Sequence, residues 1–188
     1  MARIVVTEYI SLDGVIEAPG GTEDYKHVNW AMEFDRGPEG QEFKDEETRS
    51  SDALLLGRIT YEEFAKAWPT MEGEYADKFN SMPKYVVSST LEEPAWTNTT
   101  VLEGDPVEEA SKLREGPGGD IVVHGSSQLA QALFEHDLVD ELRLMLYPVV
   151  LGSGKRLFGD AEDKKRWRLT DSRTVGDGVV ILAYQPAA

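Results

Sequence analysis

Ala53-Leu54-Leu55-Leu56-Gly57-Arg58-Ile59-Thr60 is an apolar run without alternation that breaks into a glycine, a guanidinium and a hydroxyl. A segment apolar at every position is covered on both faces, as the strands of a largely parallel sheet are. Ile4-Val5-Val6, Tyr85-Val86-Val87 and Ile121-Val122-Val123 share this character. Parallel neighbours need crossover connections, so helices are expected between the runs. The best marked covers 105–115, where Asp105 caps, Pro106 takes the first helical position and Glu108 completes a capping-box pattern. Val107, Ala110 and Leu113 form its inner face, and Gly116-Pro117-Gly118-Gly119 stops it. A second helix runs from Ser127 to about His136 with Leu129, Ala130, Leu133 and Phe134 at helical spacing. A third follows Thr60 through Tyr61-Glu62-Glu63-Phe64-Ala65.

The last third changes period. Leu142, Leu144 and Leu146 alternate with Arg143, Met145 and Tyr147, and Gly176-Asp177-Gly178 separates residues 168–175 from Val179-Val180-Ile181-Leu182-Ala183-Tyr184. Alternation and a glycine turn predict antiparallel strands ending in a hairpin. The expected fold is α/β, a three-layer sandwich with a mixed, mainly parallel central sheet and a C-terminal antiparallel hairpin. Its 188 residues, 40% of them hydrophobic, hold enough apolar material for one core, so residues 1–188 are read as a single domain.

Nineteen Lys and Arg against 35 Asp and Glu give a formal net charge of −16, which repels phosphate backbones and anionic headgroups. Neither nucleic acid nor membrane is expected as a partner, and no stretch approaches the ~18 apolar residues of a membrane span. Met1-Ala2-Arg3-Ile4-Val5-Val6 reads as a first strand, because its apolar run stops at Thr7-Glu8 with no cleavage site beyond. The absence of cysteine fits a reducing compartment, so the expected location is cytoplasmic. His27, His124 and His136 show no paired ligand spacing, and no metal site is expected.

Ligands of such sheets bind beyond the carboxyl ends of the strands. Gly57-Arg58-Ile59-Thr60 offers a close backbone approach, a guanidinium and a hydroxyl at a helix start, an anion seat or an ordinary strand-to-helix turn. Ser88-Ser89-Thr90 can hydrogen-bond a phosphate or satisfy loop amides, and His124-Gly125-Ser126-Ser127 opens a helix whose free amides suit a pyrophosphate or need only a capping serine. All three follow separate parallel strands at one end, so together they line a single crevice. A GxGxxG fingerprint is absent from the sequence.

Gly57-Arg58-x-Thr60, Val87-Ser88-Ser89-Thr90, Val123-His124-Gly125-Ser126-x-x-Leu129, Leu138-Val139-Asp140-Glu141-Leu142 and Pro148-Val149-Val150-Leu151-Gly152-Ser153-Gly154 follow one another in this order. The ordered set resembles the dihydrofolate-reductase-like superfamily, and within it the reductase domain of the bifunctional riboflavin-biosynthesis protein. The likeness runs from Ile4 and Ser11-Leu12-Asp13-Gly14 to the last hairpin. It implies an NADPH-dependent reductase in which Gly57, Arg58 and Thr60 hold the cofactor phosphates, and in which Arg58, Ser88 and Ser89 favour the 2′-phosphorylated cofactor. A dianionic ribose phosphate gains most from a guanidinium fork with hydroxyl donors. Gly125-Ser126 matches the place where the superfamily carries paired glycines joined by a cis peptide, with serine replacing the second glycine, and Leu129 follows on the same helix. Val15-Ile16 would lie beside the nicotinamide, Ile16 as apolar wall, or form an ordinary buried edge of the first strand. A homodimer is the implied assembly, helped by an apolar face expected on the C-terminal hairpin.

The substrate side is less determined. Asn29-Trp30-Ala31-Met32-Glu33-Phe34-Asp35 has no proline before its tryptophan and puts no single carboxylate into the folate-binding register, so folate ranks behind other small heterocyclic or carbonyl substrates, among them the pyrimidine of riboflavin synthesis. Glu33, Asp35, Glu39, Glu42, Asp45, Glu46 and Glu47 read as a solvated helix face. Asp13 is the candidate catalytic carboxylate, with an Asx-type turn as its competing role. A tyrosine such as Tyr25, or a water, are the other candidate proton donors. Tyr25, Trp30 and Trp68 form a candidate aromatic wall against a flat substrate. Lys155-Arg156 would meet a substrate phosphate or balance Asp160 and Glu162. From a different class, the chain would be a nucleotide-binding or interaction module that keeps the fold without turnover.

Overall fold

The structure, a computed structural model, describes residues 1–160 and 163–188; Glu162, one of the acids expected near Lys155-Arg156, lies outside them. β1 (Arg3–Ile10), β2 (Ser51–Gly57), β3 (Lys84–Val87), β4 (Thr99–Leu102), β5 (Asp120–His124), β6 (Glu141–Leu146), β7 (Trp167–Val175) and β8 (Val179–Pro186) form one sheet in the order β4-β3-β2-β5-β1-β6-β8-β7. The first six strands in that order run parallel, β8 pairs antiparallel with β6, and β7 closes the hairpin on β8.

Five helices flank the sheet: α1 (Gly37–Ser50), α2 (Arg58–Ala67), α3 (Glu74–Ser81), α4 (Pro106–Glu115) and α5 (Ser127–Glu135). Alternate residues of the parallel strands feed two apolar layers. Ile4, Val6, Leu55 and Val123 pack with Ala110 of α4 and Leu129, Ala130 and Leu133 of α5. Val5, Leu54, Leu56, Val86 and Val122 pack on the other face with Tyr61 of α2 and Phe79 of α3. A third cluster joins Trp30, Met145, Tyr147 and Ile181 to Phe43 of α1. Burial on both faces is why these strands lack alternation. Among the described residues no helix is long and apolar enough to cross a membrane.

The expected α/β sandwich with its mixed sheet is therefore present, with four departures in detail. β6 alternates as read, yet it is antiparallel only to β8 and parallel to β1, because alternation reports a strand's faces and not its direction. β4 was not legible, since Thr99-Thr100-Val101-Leu102 is a half-exposed edge, and α3 was not, since it buries only Ala76 and Phe79. The Tyr85-Val86-Val87 strand begins one residue earlier with Lys84, which is fully buried. Its Nζ donates to the carbonyls of Asn80 at 2.8 Å, Met82 at 2.8 Å and Thr97 at 3.0 Å, so its three protons fasten the end of α3 to the approach to β4.

Asp105 caps α4 as the sequence predicts, its carboxylate accepting from Val107 N at 3.0 Å and Glu108 N at 3.1 Å. Replacing it with alanine leaves those amides to water and should cost about 1 kcal/mol of stability. Urea unfolding of Asp105→Ala against the parent measures this, and an unchanged midpoint would show that the cap contributes nothing.

Candidate active site

β2, β3 and β5 end side by side, and their following turns meet. Gly57 N donates to Ser126 Oγ at 2.8 Å, and Ser126 Oγ lies 3.0 Å from Thr60 Oγ1, so the β5–α5 turn is tied to the start of α2. Gly125 and Ser126 are both left-handed, with φ of 54° and 59°. A Cβ on Gly125 would stand 2.9 Å from Thr60 Oγ1, which is why glycine is needed there. No cis peptide occurs among the described residues, and Gly125-Ser126, at the place of the superfamily's paired glycines, is a trans pair of successive left-handed residues. Neither α2 nor α5 has a side-chain N-cap, which leaves their first-turn amides facing the same space.

That space is a cleft of about 1470 Å³. Gly57, Arg58 and Thr60 line it from β2–α2, Ser88 and Ser89 from the end of β3, and Gly125, Ser126 and Leu129 from β5–α5. Ile16, buried, faces it from the loop after β1. Arg58 is exposed and paired with Glu62 at 3.0 Å. Ser88 Oγ accepts from Thr90 N at 3.1 Å and Leu91 N at 3.0 Å, fixing the turn that presents the exposed Ser89.

The substrate-side candidates divide. Trp68 lines the cleft and heads an aromatic stack, its ring 4.4 Å from Phe79, with Tyr75 5.1 Å from Phe79. Trp30 does not reach the cleft: it is buried, Nε1 donates to Glu17 O at 2.8 Å, and its ring meets Tyr147 edge-on. Tyr25 is also elsewhere, its hydroxyl donating to Ser153 O at 2.6 Å. Asp13 stands outside the cleft lining and accepts from Ser11 Oγ at 2.6 Å, Gly152 N at 2.8 Å and Leu151 N at 3.1 Å. Those bonds, that of Ser11 foremost, hold its carboxyl down at about 2, so it is an ionised acceptor that builds the turn rather than a proton donor. Arg156 reaches back to Asp13 at 3.9 Å, whereas Lys155 lines the cleft.

The groups that sequence reasoning missed are buried polar side chains brought together from β1, α1 and β5. Glu8 lines the cleft, buried, with Oε1 lacking a partner. Burial pushes its carboxyl well above the ordinary range, against the opposing pull of the Gly125 amide and Lys44. Lys44 and Glu47 form a buried ion pair, and Lys44 Nζ also donates to Thr7 Oγ1 at 3.2 Å. Glu47 therefore leaves the acidic face that sequence reading assigned to solvent. His124 is pulled down to about 3, first by burial and then by Lys44, so its ring is neutral. The available signal was Glu8 itself, a carboxylate in mid-strand between Thr7 and Tyr9. Among the described residues no group of His, Asp and Glu could hold a metal ion.

The fold is dihydrofolate-reductase-like. Two solved structures share the fold: a Shewanella sp. PV-4 protein provisionally named for riboflavin biosynthesis, 22% identical with TM-score 0.78 over 99% of both chains, and Enterococcus faecalis dihydrofolate reductase complexed with NADP(H) and RAB-propyl. The latter is 16% identical, with TM-score 0.62 over 99% of this chain and 97% of that one. Residues 2–181 match the RibD C-terminal domain family, and the chain belongs to it. Two relatives from Bacillus subtilis (strain 168) align almost throughout. Uncharacterized protein YyaP is 33% identical over 189 residues, covering 97% of this chain and 94% of its own. Uncharacterized protein YwjB is 27% identical over 170 residues, covering 90% of each.

His124 gives the site a pH signature. In the folded chain it takes no proton until about pH 3, whereas the unfolded residue titrates near 6.5. Between those values the unfolded chain holds more protons, so this residue's contribution to stability falls as pH drops through that window. Urea midpoints measured from about pH 7 to about pH 4 should fall more steeply for the parent than for His124→Gln. Parallel slopes would remove His124 from the acid sensitivity.

Proposed function

We propose that this chain is a single-domain, cytoplasmic NADPH-dependent reductase, assembled as a homodimer, that passes a hydride to a small heterocyclic or carbonyl substrate of the riboflavin or folate type. Membership of the RibD C-terminal domain family and the dihydrofolate-reductase-like fold support the reaction class. The observation that carries the cofactor reading is the meeting of two helix N-termini without side-chain caps, knitted by Ser126, beside Arg58. Backbone amides and helix dipoles suit a diphosphate, and they do so locally in a chain of net charge −16.

In this reading Gly57, Thr60, Gly125 and Ser126 grip the diphosphate, and Arg58 with Ser88 and Ser89 binds the 2′-phosphate by giving up its Glu62 pair. Ile16 and Leu129 give the nicotinamide an apolar wall that keeps water away. Bound NADPH supplies the hydride. Trp68, Phe79 and Tyr75 flank a flat substrate, and Glu8, a carboxyl whose proton affinity burial raises well above the ordinary range, donates the proton that the product needs.

Titration with NADPH and NADH, followed by nicotinamide fluorescence and thermal shift, tests the cofactor. NADPH should bind more tightly, and Arg58→Ala should weaken it by about 1.5–3 kcal/mol, less the small worth of the exposed Glu62 pair, while changing NADH much less. Equal losses for both cofactors would end the 2′-phosphate role. Glu8→Gln should keep NADPH affinity and lower turnover ~10²-fold or more. Binding of NADPH without turnover of any pterin, pyrimidine or carbonyl compound would favour a silent binding module instead.

A further inference from the structure

The geometry points to Arg36 as an anion receptor in the substrate half of the cleft, selecting flat unsaturated substrates that carry a carboxylate or phosphate. This rests on the reductase reading for the identity of the cleft and adds the chemical class of what enters it.

The inference begins with the cations that line the cleft. Lys44 is paired with Glu47, Arg58 with Glu62 at 3.0 Å, Lys66 with Glu63 at 2.8 Å and Lys155 with Glu17 at 3.8 Å. Arg36, the remaining one, makes no ion pair among the described residues. Its Nη1 donates to Tyr9 Oη and its Nη2 to Gln41 Oε1 at 2.5 Å, both neutral acceptors. The chain holds 35 acids to 19 bases, so a half-buried guanidinium that makes no ion pair among the described residues is the reverse of what composition favours. Partly buried charges are ordinarily paired, because desolvation must be offset.

The surroundings say what the partner would be. The groups facing Arg36 are the phenols of Tyr9, Tyr147 and Tyr75, from β1, the segment after β6, and α3, together with Gln41 one helical turn on. Tyr9 lies between two cations, with Arg36 Cζ 5.8 Å and Lys44 Nζ 5.4 Å from its ring centre. Glu47 offsets the charge of Lys44, so the uncompensated charge of this corner is that of Arg36, set among hydroxyl and amide groups, and a guanidinium with donors to spare presents a planar fork to two oxygens of one acid group. The stack of Trp68, Phe79 and Tyr75 lines the same cleft and offers a flat partner to the rest of such a molecule. Carboxylate and phosphate share this chemistry, and the test separates them.

Three probes of one shape suffice: 2-naphthoate, 2-naphthyl phosphate and the neutral 2-naphthamide, titrated into the parent protein by calorimetry and ligand-observed NMR. At least one anion should bind about tenfold or more tightly than the amide, and whichever anion binds better identifies the acid group. Arg36→Gln should abolish that preference while leaving naphthamide and NADPH binding as in the parent. Arg36→Lys, which keeps the charge without the fork, should retain part of it and serves if the glutamine variant fails to fold. Equal binding of all three probes by the parent, or an unchanged preference in Arg36→Gln or in Arg36→Lys, would overturn the proposal. Failure of the cofactor reading is recorded separately, as a parent protein that does not bind NADPH.

Discussion

The hydrogen bond from Gly57 N to Ser126 Oγ joins two segments 69 residues apart in sequence, and most of the candidate site depends on it. It can form only because β2 and β5 are adjacent and parallel and therefore end at the same edge. The left-handed Gly125 and Ser126 then swing the chain toward Thr60, where any side chain on Gly125 would collide. Two helices consequently start within reach of one ligand. A parallel sheet delivers its strand ends to one rim as a matter of topology, so the binding edge and the stable core are products of the same arrangement.

Charge is distributed against the average of the chain. Acids outnumber bases 35 to 19 in the chain, whereas the cleft sets Arg36, Lys44, Arg58, Lys66 and Lys155 among Glu8, Glu17, Glu23, Asp24, Glu63 and Glu103, close to balance. Burial lowers the proton affinity of His124, with Lys44 adding to the effect and Glu47 opposing it, and burial raises that of the Glu8 carboxyl.

What the sequence revealed follows from what is local. Runs such as Leu54-Leu55-Leu56 announced themselves because both their faces are covered, and the turns after them were legible because glycine and hydroxyl residues follow directly on the strand ends. β4 gave no such signal because it is a half-exposed edge. Glu47 looked like solvent-facing charge because its burial beside Lys44, three residues earlier on the same helix, depends on how α1 is rotated against the sheet, which no short window encodes. Asp13 looked catalytic by position, but Ser11, Leu151 and Gly152 use up its oxygens. Trp30 and Tyr25 were placed near substrate as aromatic residues of irregular segments, which does not distinguish a wall from a packing contact.

β1 presents Glu8 toward the Gly125 side of the sheet and Thr7 and Tyr9 toward Lys44 and Arg36 on the other. A strand's period of two makes this partition a matter of counting: one residue gained or lost between Arg3 and Ile10 would send the carboxyl to the lysine side and the phenol under α5. The length of this segment is thus as strictly specified as its composition, and the chain's freedom to vary in length is displaced to the irregular stretches beyond Ile10.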